Sequence, residues 1–166
     1  IAAVDGMVPD EIIRDFARTF GGVEHRIELI RTLDGVRWYN DSIASSPSRT
    51  IAGLRSFPEK VVLIAGGKDK GISYDSLGPV VNDHVKLLIL CGATAGVIRR
   101  AVEQAPNYAG LEIFDVADYE EAAALARSRT QSGDVVILSP ASTSFDRFAN
   151  FMERGRVFKD VVNRPQ

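Results

Sequence analysis

The chain has 166 residues, 45% of them hydrophobic, with 20 basic and 22 acidic side chains and a formal net charge of −2. That suits one compact domain, since a chain of this size buries roughly 70% of the surface its unfolded form exposes, and it excludes the basic footprint of a nucleic-acid binder. Cys91 is the single cysteine, which excludes an internal disulfide. No apolar run reaches the roughly 18 residues of a membrane span and no basic-then-apolar leader opens the sequence, so a cytoplasmic chain with no membrane partner is expected.

Ile1-Ala2-Ala3-Val4 reads as the last turn of a helix. From Pro9 to Phe20 the spacing predicts a short amphipathic helix. Pro9 suits its first turn, and Ile12, Ile13, Phe16, Ala17 and Phe20 share one face until Gly21-Gly22 stops it. The chain does not begin with Met, and residues 1–22 are expected to be the tail of a preceding domain with its linker. The apolar face of that helix should therefore pack on this domain, pack on a neighbouring molecule, or become disordered.

Residues 26–33 and 36–39 read as two strands, and Asp34-Gly35 between them is a strong hairpin signal. A helix is predicted from Pro47 to Phe57, ended by Pro58. Residues 61–65, 87–91 and 135–138 are continuously apolar runs, as strands are when helices cover both faces of a parallel sheet. Leu111 to Val116 is a weaker strand. Helical patterns fall at 76–83, 95–104, 119–131 and 145–162. Strands alternating with helices predict an α/β fold: a Rossmann-like three-layer sandwich of about six strands, mostly parallel with one antiparallel edge strand.

Three polar clusters follow strands, where ligands of parallel α/β sheets bind. In Asn40-Asp41-Ser42 the carboxylate can accept bonds from vicinal hydroxyls such as those of a ribose; a turn cap would use the same residues. Gly66-Gly67-Lys68-Asp69-Lys70-Gly71 lets backbone approach a ligand and offers an ammonium to a carboxylate or phosphate, although a solvated turn is equally glycine-rich. Ser139 to Ser144 leads into a helix expected at Phe145, whose free amides would favour an anion; Ser144 as an ordinary N-cap is the plainer reading. Neither a phosphate-cradling G-x-x-x-x-G-K-[ST] loop nor a G-x-S-x-G elbow is present. His25 and His84 are the only histidines, and neither has a Cys or second His nearby, so no metal site is expected. Cys91 reads as a core residue.

Together these segments resemble the C-terminal domain of the Mur ligases, in particular the D-glutamate-adding branch of that family. The residues that carry the likeness are Gly22-Val23-Glu24-His25-Arg26, Asn40-Asp41-Ser42, Gly66-Gly67-Lys68-Asp69-Lys70, Ser139-Pro140-Ala141 through Ser144-Phe145-Asp146, and Phe148, Asn150-Phe151 and Glu153-Arg154-Gly155. The resemblance implies that residues 1–22 belong to a central ATP-binding domain and 23–166 to the C-terminal one. It implies an ATP-dependent ligase, using ATP and Mg2+ in the full-length enzyme, that adds D-glutamate to UDP-N-acetylmuramoyl-L-alanine through an acyl phosphate, with the fragment alone inactive. Asp41, Arg26 and His25 would meet the nucleotide; Lys70, Ser45, Ser144 and Phe151 would form the D-glutamate pocket, with Lys68 as a second candidate for the carboxylate. Ile43 stands where many members carry lysine, and Ser45 where threonine is common. Another Mur-type or folylpolyglutamate-type ligase with a different amino acid, and a non-catalytic Rossmann-like nucleotide-binding module, are the rival readings.

Overall fold

The computed structural model describes residues 6–165, so the helical turn expected at residues 1–4 lies outside it. In chain order the elements are α1 (Asp10–Thr19), β1 (Glu28–Leu33), β2 (Val36–Asn40), α2 (Pro47–Leu54), β3 (Val61–Ala65), α3 (Leu77–His84), β4 (Val85–Leu90), α4 (Ala95–Glu103), β5 (Glu112–Asp115), α5 (Tyr119–Ser128), β6 (Val135–Leu138) and α6 (Phe151–Asn163). One six-stranded sheet runs in the order β1-β2-β6-β3-β4-β5. Only β1 is antiparallel, paired to β2 through the Asp34-Gly35 turn, whose residues both have positive φ. Every other neighbouring pair is parallel.

The continuously apolar strands are buried on both faces. All of β3 is buried: Val61, Leu63 and Ala65 join Leu54, Leu77, Val81 and Ile98 from α2, α3 and α4, while Val62 and Ile64 join Tyr119, Ala122 and Phe158 from α5 and α6. Each aliphatic side chain so buried contributes roughly 1.5–3 kcal/mol. The chain steps outward from β3 to β4 and β5, then returns to insert β6 between β2 and β3. That return makes a switch point at the carboxyl ends of β6 and β3, where open α/β sheets bind ligands.

One expectation fails. The last helix starts at Phe151 rather than near Phe145, because Asn150 is its N-cap and accepts a hydrogen bond from the Glu153 amide at 2.9 Å. Residues 144–148 instead make a single turn closed by Arg147 N–H and Phe148 N–H on the Ser144 carbonyl. Helix α1 forms as the spacing predicts, but none of its residues is buried, and Ile12, Phe16 and Phe20 stay exposed with the two phenyl rings stacked 5.2 Å apart. Its apolar face does not pack on this domain.

The hairpin turn is tightly built: a Cβ on Gly35, at φ +80°, would stand 2.2 Å from Ser132 Oγ and 3.1 Å from Ser132 Cα. Gly35→Ala is expected to lower stability by on the order of 1–3 kcal/mol, read as a drop in urea midpoint with unchanged slope.

Candidate functional site

The loops after β2, β6 and β3 lie side by side, because those strands are neighbours and run the same way. All three sequence clusters therefore sit on one rim of the sheet. Backbone bonds knit them: Asp41 N–H to Leu138 O (2.8 Å), Gly66 N–H to Pro140 O (2.9 Å), and a two-way pair between Lys68 and Thr143 (2.9 and 3.2 Å).

Asp41 is buried at the wall of a cleft of about 330 Å³ that Arg26, Ile43 and Arg49 also line. One carboxylate oxygen accepts from Ser139 Oγ at 2.8 Å and the other from the Ile27 amide at 3.3 Å. Ser139 Oγ lies 3.0 Å from Thr50 Oγ1, so the carboxylate ends a short buried chain of hydroxyls. Burial raises the Asp41 carboxyl from 3.8 to about 6, and the bonds from Ser139 and Ile27 and the charges of Arg26 and Arg49 limit that rise.

Arg26 is held between two residues in the left-handed region, His25 (φ 65°) and Ile27 (φ 44°). The latter is β-branched, for which this conformation is a genuine outlier. His25 itself is buried. Its Nδ1 lies 2.8 Å from Asn40 Nδ2, its ring meets Phe151 edge-on at 6.0 Å, and it does not line the Asp41 cleft. Desolvation lowers its pKa against the pull of Glu24 and Glu28, so Nδ1 is free to accept from the Asn40 amide. Glu24, His25 and Glu28 bring their ligand atoms within 4.8 Å of one another, but the Lys159 ammonium already bridges the two carboxylates, at 3.2 Å to Glu24 and 2.5 Å to Glu28.

Arg154 binds the rim together from below. Its side chain is 1% exposed and forms no ion pair among the described residues. Nε donates to Ser42 Oγ (2.9 Å), Nη2 to Ser42 O (2.8 Å) and Nη1 to Ser142 O (3.0 Å). Ser42 Oγ in turn donates to the Phe151 carbonyl at 2.8 Å.

The residues expected around an amino acid are less gathered. Ser144 is buried and follows Thr143, the partner of Lys68, so it stands near the loop that carries Lys70. It is not at the start of α6, and the amides expected beside it belong instead to Phe151 and Met152. Lys70 is exposed, and Ser45 and Phe151 are half-buried. None of these four lines the cleft that holds Asp41 and Arg26. Sequence reasoning missed Ser139 as the partner of Asp41, and Arg154 as a hub. Arg154 was visible in principle, since it shares the stripe of Phe158, Val161 and Val162 at helical spacing, where a charged residue is out of place.

A mostly parallel sheet covered on both faces, with polar loops meeting at its switch point, defines a Rossmann-like α/β domain. The chain belongs to the Mur ligase, glutamate ligase domain family, whose pattern matches residues 25–142. It is 55% identical over 166 residues to a UDP-N-acetylmuramoylalanine–D-glutamate ligase of Acetivibrio thermocellus and 52% identical to one of Ruminiclostridium cellulolyticum, covering 98% of this chain and 36% of each relative. The chain thus spans about a third of the length of those relatives. Among solved structures it is similar in fold to a MurF ligase from Thermotoga maritima in complex with ADP (TM-score 0.56, 19% identity, covering 91% of this chain and 36% of that one). It is also similar to a bifunctional folylpolyglutamate synthase/dihydrofolate synthase from Yersinia pestis complexed with AMPPNP and Mn ion (TM-score 0.63, 17% identity, 93% and 35%). Among the described residues no helix is long and apolar enough to cross a membrane.

The raised pKa of Asp41 fixes the sign of a pH effect. Its folded value, about 6, exceeds its ordinary 3.8, so the folded state holds the proton more tightly. The stability this contributes is complete below the lower value and is lost as pH rises through the upper one. Asp41→Asn is expected to gain up to about 3 kcal/mol relative to the parent chain between roughly pH 4 and pH 7.5, measured by urea unfolding. A constant difference across that range would remove Asp41 as the titrating group.

Proposed function

We propose that this chain is the D-glutamate-binding, nucleotide-facing domain of an ATP-dependent ligase that joins D-glutamate to UDP-N-acetylmuramoyl-L-alanine. The observation that carries the reading is the Asp41 carboxylate, anchored by Ser139 and the Ile27 amide beside Arg26 in an open cleft. The high identity to ligases of that name over nearly the whole chain supports it.

In the proposed reaction the γ-phosphoryl group of ATP passes to the alanine carboxylate, giving an acyl phosphate and ADP. The D-glutamate amine then attacks the acyl carbon, losing a proton, and inorganic phosphate leaves as the amide forms. A carboxylate is a poor electrophile, which is why activation comes first; positioning and charge neutralisation carry the remainder. Asp41 would accept the two ribose hydroxyls, each bond to a charged group being worth about 1.5–3 kcal/mol, and Arg26 would lie against the nucleotide. His25, buried behind Arg26, would act by holding that turn. Lys70 would meet a D-glutamate carboxylate by charge, with the Ser45 and Ser144 hydroxyls and the Phe151 ring completing the pocket. Ile43 gives the cleft an apolar wall.

The Mg2+ expected for the full-length enzyme is not assigned to this chain. Asp41 is the one carboxylate lining the cleft, and each of its oxygens already accepts one bond, so the capacity left suits two hydroxyls rather than a cation that needs several oxygen ligands. Residues 1–22 would join this domain to the central one, and the exposed face of α1 is consistent with a partner outside residues 23–166.

Two outcomes are expected. The 166-residue chain alone should show no ATP-dependent phosphate release in the presence of both other substrates, and turnover above background would refute the reading. In the full-length ligase, Lys70→Ala should raise the KM for D-glutamate by at least roughly tenfold, the loss of one charged contact, and leave the KM for ATP nearly unchanged. Equal effects on both would take Lys70 out of the amino-acid pocket, and the same split from Lys68→Ala alone would transfer the role to Lys68.

A further inference from the structure

A second cavity, of about 230 Å³, opens at the carboxyl ends of β3 and β4, between the first turns of α5 and α6. It shares no lining residue with the Asp41 cleft. Gly66, Gly67 and Gly92 form part of its wall with backbone alone, and Tyr119, Phe148 and Arg154 are among the side chains that line it. The glycines make room: a Cβ on Gly67 would stand 3.1 Å from Arg154 Nη1, and one on Gly92 would stand 3.0 Å from the Gly67 nitrogen.

Two nearly buried polar groups of this wall have hydrogen-bonding capacity left over. An arginine carries five N–H donors. Three of those on Arg154 go to Ser42 and Ser142, and the remaining two have no acceptor among the described residues. Tyr119 is 8% exposed, and its hydroxyl likewise has no partner among the described residues. Its ring is clamped, stacked on Phe148 at 5.9 Å and edge-on to Phe158 at 5.7 Å, so the hydroxyl is fixed in place. The charged and thiol groups that act on it are Arg154, Cys91, Asp146 and Arg147, all of which line this cavity. Burial pushes the phenol far up, so it remains a donor at neutral pH.

Of the acidic groups around the mouth, two are occupied. Asp118 caps α5 by accepting from the Glu121 amide at 2.9 Å, and Glu120 pairs with Arg164 at 3.1 Å. Asp146 is the acid that bears on Arg154 from across the opening, and the two form no ion pair. The buried guanidinium therefore lacks a contacting counter-charge, and a planar fork of this kind suits the oxygens of a carboxylate or phosphate.

We propose that this cavity is an oxyanion subsite, in which a carboxylate or phosphate group accepts hydrogen bonds from the unused N–H groups of Arg154 and the Tyr119 hydroxyl, in competition with Asp146. It is separate from the proposed nucleotide and D-glutamate sites and does not rest on them.

The test is an NMR titration of the ¹⁵N-labelled chain with inorganic phosphate and, separately, with sodium acetate, each against sodium chloride at matched ionic strength. Saturable shifts of the Gly67 and Gly92 amides are expected. Tyr119→Phe should weaken the apparent affinity by roughly fivefold, the loss of one hydrogen bond, and Asp146→Asn should tighten it. Saturation by one probe alone supports the subsite and says which group it takes. Shifts that rise linearly with both probes, or that chloride reproduces, would show a water-filled cavity with an adventitious ion only. Shifts confined to the Gly53 and Asp41 amides would move anion binding to the other cleft and overturn this proposal while leaving the proposed function standing. Should Tyr119→Phe fail to fold, absence of tightening in Asp146→Asn is itself a negative result.

Discussion

The rim on which every candidate residue stands depends on the buried guanidinium of Arg154. Through Ser42 it holds the loop after β2, through Ser142 the loop after β6, and it lies against Gly67 of the loop after β3. A charge this deep in the protein is costly unless its donors are satisfied. Here two backbone carbonyls and a hydroxyl satisfy three of its five donors, and burial still lowers its pKa. A lysine could not substitute, because three donations in fixed directions need a planar fork. The neighbouring Gly155 belongs to the same device: a Cβ there would stand 2.3 Å from His25 Nδ1 and 3.0 Å from Asn40 Nδ2. One turn of α6 thus reaches under the β6 loop with its arginine and admits the His25–Asn40 pair with its glycine.

That pair links the hub to the strained turn at residues 25–27. Asn40 donates to His25 Nδ1 and to Glu28 Oε2, and its carbonyl oxygen accepts the Ser42 amide. Glu28 also accepts the His25 amide, and Lys159 neutralises it. Positive φ at His25 and Ile27 costs of order 1–3 kcal/mol each and persists only where the surroundings over-determine it. The surroundings do so here, since the Ile27 amide is directed at the Asp41 carboxylate and His25 is fixed on both sides. The strain has a geometric result: Arg26 is set at the cleft wall beside Asp41.

The fold was largely legible because its signals were local and redundant. Unbroken apolar runs at 61–65 and 135–138 announced strands covered on both faces, and Asp34-Gly35 announced the hairpin; the sheet contains both. The start of α6 is ambiguous in the sequence because Ser144 and Asn150 are both capping residues, and tertiary contacts decide between them. Thr143 is drawn to Lys68 and the Ser144 carbonyl closes a turn, so the helix waits for Asn150. The site was legible as clusters but not as a network. Nothing local in Ser139 says that its hydroxyl serves Asp41, 98 residues away, since only the insertion of β6 between β2 and β3 brings them together.

The two halves of the candidate site differ in how much of their order is already in place. Asp41 sits at the end of a hydroxyl chain through Ser139 and Thr50, flanked by a fixed turn, so a ligand there meets a group that loses little freedom on binding. Lys70 is the opposite, a long exposed side chain on a glycine-bordered loop, and fixing it costs up to about 2 kcal/mol of rotamer entropy. A contact made by such a residue gains strength when water is removed around it, because the interaction of charges grows as the effective dielectric falls. On the proposed reading the nucleotide half is therefore preformed in this domain. On the same reading the amino-acid half would reach full strength only if other parts of a longer protein covered Lys70 and Ser45, which would make D-glutamate affinity depend more on such covering than nucleotide affinity does.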